Sequence, residues 1–213
     1  MAEKQEGHRW FASLYDPLIA SGEHSYMRRV REEIVGGARG RVLELGAGTG
    51  LSFRYYNNHA ERIVATDPDP HMLERARHRV QDAACPIELR QVSAEDLPFE
   101  DGSFDTVVST LVMCTMRDPL QALSEVRRVL KPSGELRMYE HVRYDNAFGA
   151  FLQDLATPIW RWFGAGCHPN RDIARLVREA GFEFQHLELT KPDPPIPPWV
   201  FTRPRIMGIA RPA

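Results

Sequence analysis

The residues best equipped for chemistry stand in one short run, Val42-Leu43-Glu44-Leu45-Gly46-Ala47-Gly48-Thr49-Gly50, and in a carboxylate, Asp67, seventeen positions past Gly50. Glycine permits a tight turn and lets the backbone approach a ligand closely. An apolar strand running into GxGxG therefore predicts a nucleotide-type binding turn, with a helix expected over Leu51 to Tyr56. A dinucleotide-binding turn reads GxGxxG and presents its helix N-terminus to a pyrophosphate. Here the spacing differs, and Glu44 places a fixed negative charge that would repel phosphate and suit a positively charged ligand. Asp67 closes a second strand-like run, Arg62 to Thr66, near the spacing at which doubly wound folds set a carboxylate on ribose hydroxyls. A surface aspartate opening a turn before Pro68 accounts for it too.

Three more strand-like runs end on residues that could contact a ligand. Ile87 to Val92 leads into Ser93-Ala94-Glu95, Thr106 to Leu111 carries Thr110 and Leu111 and leads to Cys114, and Glu135 to Glu140 ends at His141. His141 is the candidate base or hydrogen-bond acceptor, with Glu140 beside it to orient the ring or raise its pKa. Cys114 is as readily a small core residue, because free cysteine is among the most buried types. Cys167 and His168 lie in a glycine-containing bend that could line an acceptor site, and with so few ligands no metal site is expected. Trp160, Trp162 and Phe163 read as an apolar acceptor wall or as ordinary core.

Elements that alternate along the chain must position these residues. Two helical pieces come first, with Trp10, Phe11, Leu14, Leu18 and Ile19, then Tyr26, Val30 and Ile34, broken at Asp16-Pro17. A helix over Pro70 to Val80 carries Met72 and Leu73 at its start. Asp118 and Pro119 open another, with Leu120, Leu123, Val126 and Leu130 inward. Asn170 is expected to cap a last helix that ends at Gly181. Phe182 to Leu189 and Arg205 to Ala210 then form an antiparallel pair, joined by the proline-rich stretch Lys191 to Pro204. The order predicts an α/β fold with a doubly wound, mostly parallel seven-stranded sheet and a terminal antiparallel hairpin. In such sheets ligands lie beyond the carboxyl ends of the strands, where the strand order reverses. Gly46 to Gly50, Asp67, Ala94 with Glu95, and Thr110 to Cys114 all converge there.

Composition narrows the classes. The 213 residues fit one domain, with 1–38 as a helical lid and 40–213 as the core. A net charge of -2 with interspersed signs gives no basic stripe, so nucleic acid is not expected as a partner. No run approaches a membrane span and Met1 to Arg9 is too polar for a signal peptide, so a cytoplasmic protein is expected. Three scattered cysteines make neither a disulfide framework nor a zinc motif.

The glycine turn, Asp67 and the stretch Ser93-Ala94-Glu95-Asp96-Leu97-Pro98-Phe99 resemble the motifs of the class I S-adenosylmethionine-dependent methyltransferases, of the type 11 domain. The resemblance implies S-adenosylmethionine as cofactor, whose amino group and sulfonium suit Glu44. It also implies the contacts: Tyr15 from the N-terminal segment, Glu44, Gly46, Ala47, Gly48 and Gly50 from the turn, Asp67 on the ribose, and Pro68 and Met72 as further cofactor-binding residues. Thr110, Leu111 and Cys114 follow the fourth strand. Many members carry aspartate where this chain has Ser93, so adenine recognition falls to the backbone of Ala94 and to Glu95. Narrower likeness, in Thr110 to Cys114, Tyr139-Glu140-His141-Val142, Gly166-Cys167 and Arg203 to Gly208, is to the methyltransferase-like thiol methyltransferases. Animal members of that group carry an N-terminal membrane anchor, so this chain resembles a soluble relative.

The implied reaction is an in-line displacement at a sulfonium methyl. The leaving group is already activated, so alignment and exclusion of water dominate. A thiol, with a pKa of about 8.5, is partly ionised near neutrality and asks little of a base. The expected acceptor is a small-molecule thiol. The alternatives are O- or N-methylation of a natural product, quinone or lipid headgroup, and outside the class a NAD(P)-dependent oxidoreductase or a non-catalytic cofactor-binding protein.

Overall fold

A computed structural model describes residues 24–191 and 199–213. Uninterrupted apolar runs suit strands covered on both faces, and these runs form the centre of the sheet. β1 (Gly40–Leu45), β2 (Ala60–Thr66), β3 (Ile87–Arg90), β4 (Phe104–Thr110) and β5 (Leu130–His141) are parallel. β6 (Phe182–Thr190) and β7 (Arg205–Pro212) close the sheet antiparallel, with β7 inserted between β5 and β6. The order is β3-β2-β1-β4-β5-β7-β6, the expected seven strands. It reverses between β1 and β4, which places a crevice at their carboxyl ends.

Helices cover both faces. α1 (His24–Ile34) buries Met27, Val30 and Ile34 on one side. Arg137 of β5 fixes its end by donating to the carbonyls of Ile34 and Glu33, each at 2.8 Å, which satisfies two of the last helical acceptors. α2 (Pro70–Arg77) is capped by Asp69, and α3 (Pro119–Val129) by Asp118 with proline at its first position, as expected. α3 buries Ala122, Leu123, Val126 and Val129 with the other principal core cluster. No described helix is long and apolar enough to cross a membrane.

Several local expectations are corrected. Only a 3-10 turn, Phe53–Tyr55, follows the glycines in place of a helix over 51–56. α2 stops at Arg77, and β3 stops at Arg90, short of Val92. Leu120 is 41% exposed rather than inward, and Leu130 already belongs to β5. The last helix, α5 (Ile173–Glu179), is capped by Asp172, whose carboxylate accepts from Arg175 N at 3.0 Å, and not by Asn170. The remaining helix, α4 (Ala147–Phe163), was not expected at all. Asn146 caps it, and buried Gln153 anchors it by donating to the carbonyls of Val142, Pro169 and Phe201. Its other face turns Phe148, Phe151, Leu155, Ile159 and Trp162 to solvent, so Trp162 walls no pocket. The Phe163 side chain, the first helical piece with Tyr15, and 192–198 of the proline-rich stretch lie outside the described residues.

Candidate functional site

The cleft at the switch point is lined by Glu44 of β1, by Gly46, Ala47, Gly48, Thr49, Leu51 and Ser52 after it, and by Thr110 at the end of β4 with Leu111 next to it. Met27 and Arg31 of α1 complete it. The glycines divide the labour. A Cβ on Gly46 would meet Val112 Cγ2 at 2.5 Å, and one on Gly50 would meet Phe53 Cε2 at 2.7 Å, so both are demanded by the protein's own packing. Gly48 has a φ of +56° and nothing within 4 Å of a built Cβ, so its open side faces space a ligand can enter. Leu111, with a φ of +59°, is one of two non-glycine residues in the left-handed region among those described, and such strain collects at ligand sites.

Two acids stand by the glycine turn: Glu44 lines the cleft, and Asp67, outside that lining, holds the turn from behind. Glu44 is buried, and its Oε2 accepts from Tyr56 Oη at 3.0 Å. Burial pushes its pKa up to about 7, against the Tyr56 hydrogen bond and the nearby Arg31 charge. Asp67 directly follows β2, accepting from Gly48 N and from Asp69 N, both at 2.9 Å. Burial raises it to about 6 in spite of those bonds. Pro68 follows half-buried and Met72 is buried at the start of α2.

The turn after β3 is internally occupied. Ala94 is buried in the core, and Glu95 bonds Ser93 Oγ through one carboxylate oxygen while the other accepts from Arg117 N at 3.0 Å and Asp118 N at 3.4 Å. Glu95 thereby ties this turn to the start of α3.

Beyond Leu111 the chain turns into a second polar cluster. Cys114 is absent from the cleft lining. Its Sγ lies 3.4 Å from His141 Nδ1 and 3.4 Å from Cys167 Sγ, and Cys167 Sγ lies 3.5 Å from the same nitrogen. All three residues are buried. Bonds to main-chain carbonyls hold them together: His168 N donates to Cys114 O at 2.7 Å, and the Arg171 guanidinium Nη1 donates to Met113 O and Met116 O. Contact with Cys167, with burial, drives the Cys114 thiol well up, while contact with Cys114, and with His141, pulls Cys167 down.

Glu140 does not orient His141. Successive strand residues face opposite sides, and Glu140 Oε1 instead accepts from Ser109 Oγ at 2.7 Å, Val112 N at 3.0 Å and Met113 N at 3.1 Å. Its buried Oε2 has no hydrogen-bond partner among the described residues, and burial raises the carboxyl to about 7. The sequence reading missed Arg31, Met27, Thr49, Leu51 and Ser52 as cleft residues. For Arg31 a signal existed, since it continues the Met27, Val30, Ile34 stripe of α1 where a solvated arginine does not belong.

A family model described as a methyltransferase domain matches residues 43–138. The chain is 35% identical over 187 residues to the thiol S-methyltransferase TMT1B of Homo sapiens, an alignment covering 82% of this chain and 72% of that protein. It is 32% identical over 196 residues to the phosphatidylethanolamine N-methyltransferase of Cereibacter sphaeroides, covering 91% of each. Among solved structures, the N-methyltransferase NodS of Bradyrhizobium japonicum, in complex with S-adenosyl-L-homocysteine, aligns with a TM-score of 0.67 at 16% identity, over 91% of this chain and 90% of that one.

Proposed function

The chain belongs to the S-adenosylmethionine-dependent methyltransferases, and we propose that it transfers the methyl group to the sulfur of a small-molecule thiol. The observation that carries the acceptor is the buried Cys114, His141 and Cys167 cluster at the carboxyl ends of β4 and β5, directly after the cleft residues Thr110 and Leu111. Likeness to a thiol S-methyltransferase supports it.

Glu44 and Arg31 suit the two ends of a zwitterionic amino acid. The Glu44 carboxylate would take the cofactor's amino group, and Arg31, whose buried Nε has no partner among the described residues, would take its carboxylate. Asp67 would receive the ribose hydroxyls with the oxygen capacity left over from Gly48 and Asp69, because each carboxylate oxygen accepts more than one bond. Gly48 supplies the close approach. The adenine would lie between Met72 and the backbone of Ala94.

Methyl transfer then needs the acceptor sulfur in line with the methyl carbon. The sulfur's lone pair forms the new bond, the methyl–sulfonium bond breaks, and its electron pair stays on S-adenosylhomocysteine. In this reading His141 would take the thiol proton. Partial ionisation of a thiol near neutrality makes that help worth less than for a phenol.

A second acceptor class is favoured by the solvent-facing apolar stripe of α4 and the likeness to a phosphatidylethanolamine N-methyltransferase, namely an amphiphile such as a lipid headgroup. Tritiated-methyl transfer to a panel of small thiols, phenols, amines and phosphatidylethanolamine vesicles tests both. Thiol turnover is the expected result. Turnover of amines or vesicles with no thiol activity would overturn the proposal.

A further inference from the structure

We propose that Cys114, His141 and Cys167 are three ligands of a zinc site whose fourth position takes the sulfur of the acceptor. The metal site stands on geometry alone, whereas the fourth-position assignment rests on the thiol reading above.

The three donor atoms come from separate parts of the chain: the bend after β4, the end of β5 and the bend after α4. Nonetheless they form a nearly equilateral triangle with edges of 3.4, 3.4 and 3.5 Å. A tetrahedral zinc, with bonds of about 2.3 Å to sulfur and about 2.0 Å to nitrogen, sets neighbouring ligand atoms roughly 3.5–3.8 Å apart. The triangle therefore needs to open by only a few tenths of an ångström.

The chemistry of the set agrees with its size. Two thiolates and an imidazole are soft-to-borderline donors that select zinc over magnesium or calcium. Two negative sulfurs offset the ion's charge, so the loaded site is neutral overall, as a buried location requires. The surrounding bonds, from His168 N and the Arg171 side chain to carbonyls around Cys114, hold the bend without occupying the donor atoms. Among the described residues no fourth histidine, cysteine or carboxylate joins the three. Three protein ligands with one position left open is the arrangement of catalytic rather than structural zinc.

Loading the ion releases the cysteine protons. The acceptor thiol then binds at the fourth position as thiolate and gives its proton to solvent. It attacks the sulfonium methyl, the methyl–sulfonium bond breaks towards S-adenosylhomocysteine, and the neutral thioether product is a poorer ligand that leaves. In the metal-loaded chain His141 is thus a ligand through Nδ1, and the ion replaces it as the means of ionising the acceptor.

The test uses the full reduced chain, stripped with chelator and titrated with Co2+. We expect one cobalt per chain, tetrahedral d–d bands, and a sulfur-to-cobalt charge-transfer band corresponding to two thiolates, all abolished by one equivalent of Zn2+. Cys85→Ser should keep the spectrum, while Cys114→Ser and Cys167→Ser should lose at least ~10-fold in cobalt affinity while still binding S-adenosylhomocysteine. Adding a small aromatic thiol should shift the charge-transfer band. Absence of stoichiometric binding, a spectrum without thiolate ligation, or isolation of Cys114 and Cys167 as a disulfide that reductant leaves unable to bind cobalt overturns the site. A cobalt spectrum insensitive to thiols overturns the fourth-position assignment. A cobalt site in a chain that methylates no thiol overturns the acceptor reading and leaves the metal site standing.

Discussion

Asp67 Oδ2 accepts the backbone N–H of Gly48 at 2.9 Å, so the carboxylate at the end of β2 holds the glycine turn at the end of β1. The acid and the turn it holds form one unit. Asp67→Ala should weaken S-adenosylhomocysteine binding by about 5- to 150-fold, the loss of one or two hydrogen bonds to a ligand. Asp67→Asn keeps an acceptor for Gly48 and should lose less than the alanine variant. Titration calorimetry on both checks it, and wild-type affinity in Asp67→Ala would remove the residue from the site.

The glycines should separate by phenotype. Gly48→Ala strains a left-handed position by roughly 1–2 kcal/mol and projects a methyl into the open side of the turn. Cofactor affinity should fall at least ~10-fold with only that modest loss of stability. Gly46→Ala drives a Cβ onto Val112, so the cost should appear in folding as about 2–4 kcal/mol, strain plus overpacking. Urea denaturation and calorimetry together decide, and equal stability losses would refute the division.

How legible this was in the sequence differs by feature. The glycine turn and the succession of strands could be read because each is local: a buried parallel strand is an apolar run, and the turn follows at once. α4 was missed because Pro158 and the apolar residues on its outward face disguise an amphipathic helix. The helix after Gly50 was over-read, since the glycines promise one while the chain makes only a short 3-10 turn. The Cys114–His141–Cys167 cluster needs tertiary placement of segments no local pattern links. That Glu140 does not face His141, by contrast, was open to inference, because alternation along β5 already turns the two apart.

Arg31 and Glu44 make a sharper test of cofactor orientation. If Arg31 holds the cofactor's carboxylate, Arg31→Met should weaken S-adenosylhomocysteine by about 10- to 100-fold, the loss of a charge-assisted hydrogen bond. Binding of 5′-methylthioadenosine, which lacks the amino acid end, should change less than ~2-fold. A parallel loss for both ligands would mean that Arg31 only shapes the cleft.

Three buried acids give the metal-free, ligand-free chain an unusual pH dependence. Glu44 and Glu140 are raised to about 7 and Asp67 to about 6, in each case chiefly by burial. Between the ordinary carboxylate range and pH 7 the folded chain therefore holds more protons than the unfolded one. Their stabilising contribution is complete near pH 4 and is lost as pH rises through 6 to 7. Glu140→Gln stays neutral and keeps a carbonyl for Ser109, Val112 and Met113, so it should be more stable than wild type at pH 8 by on the order of 1–3 kcal/mol. At pH 5 the two should nearly coincide. Urea midpoints at both pH values check this, and a difference independent of pH would show that Glu140 does not titrate in that window.

His141→Ala should slow methylation of a small thiol by about 10- to 100-fold at pH 6–7, less than the 10²–10⁴ typical of a positioned base. The reason is the acceptor: with a pKa of about 8.5 it already supplies a few per cent of thiolate near neutrality. The deficit should shrink as pH rises to 9.5, because bulk ionisation then does what the side chain did. That shape holds whether His141 takes the proton itself or holds an ion that ionises the thiol, so cobalt ligation separates those roles while the rate profile tests what they share. Initial rates of both proteins across pH 6–9.5, at saturating S-adenosylmethionine, provide the measurement. A deficit constant over that range, or a mutant within twofold of wild type throughout, would move His141 from thiol ionisation to alignment or structure.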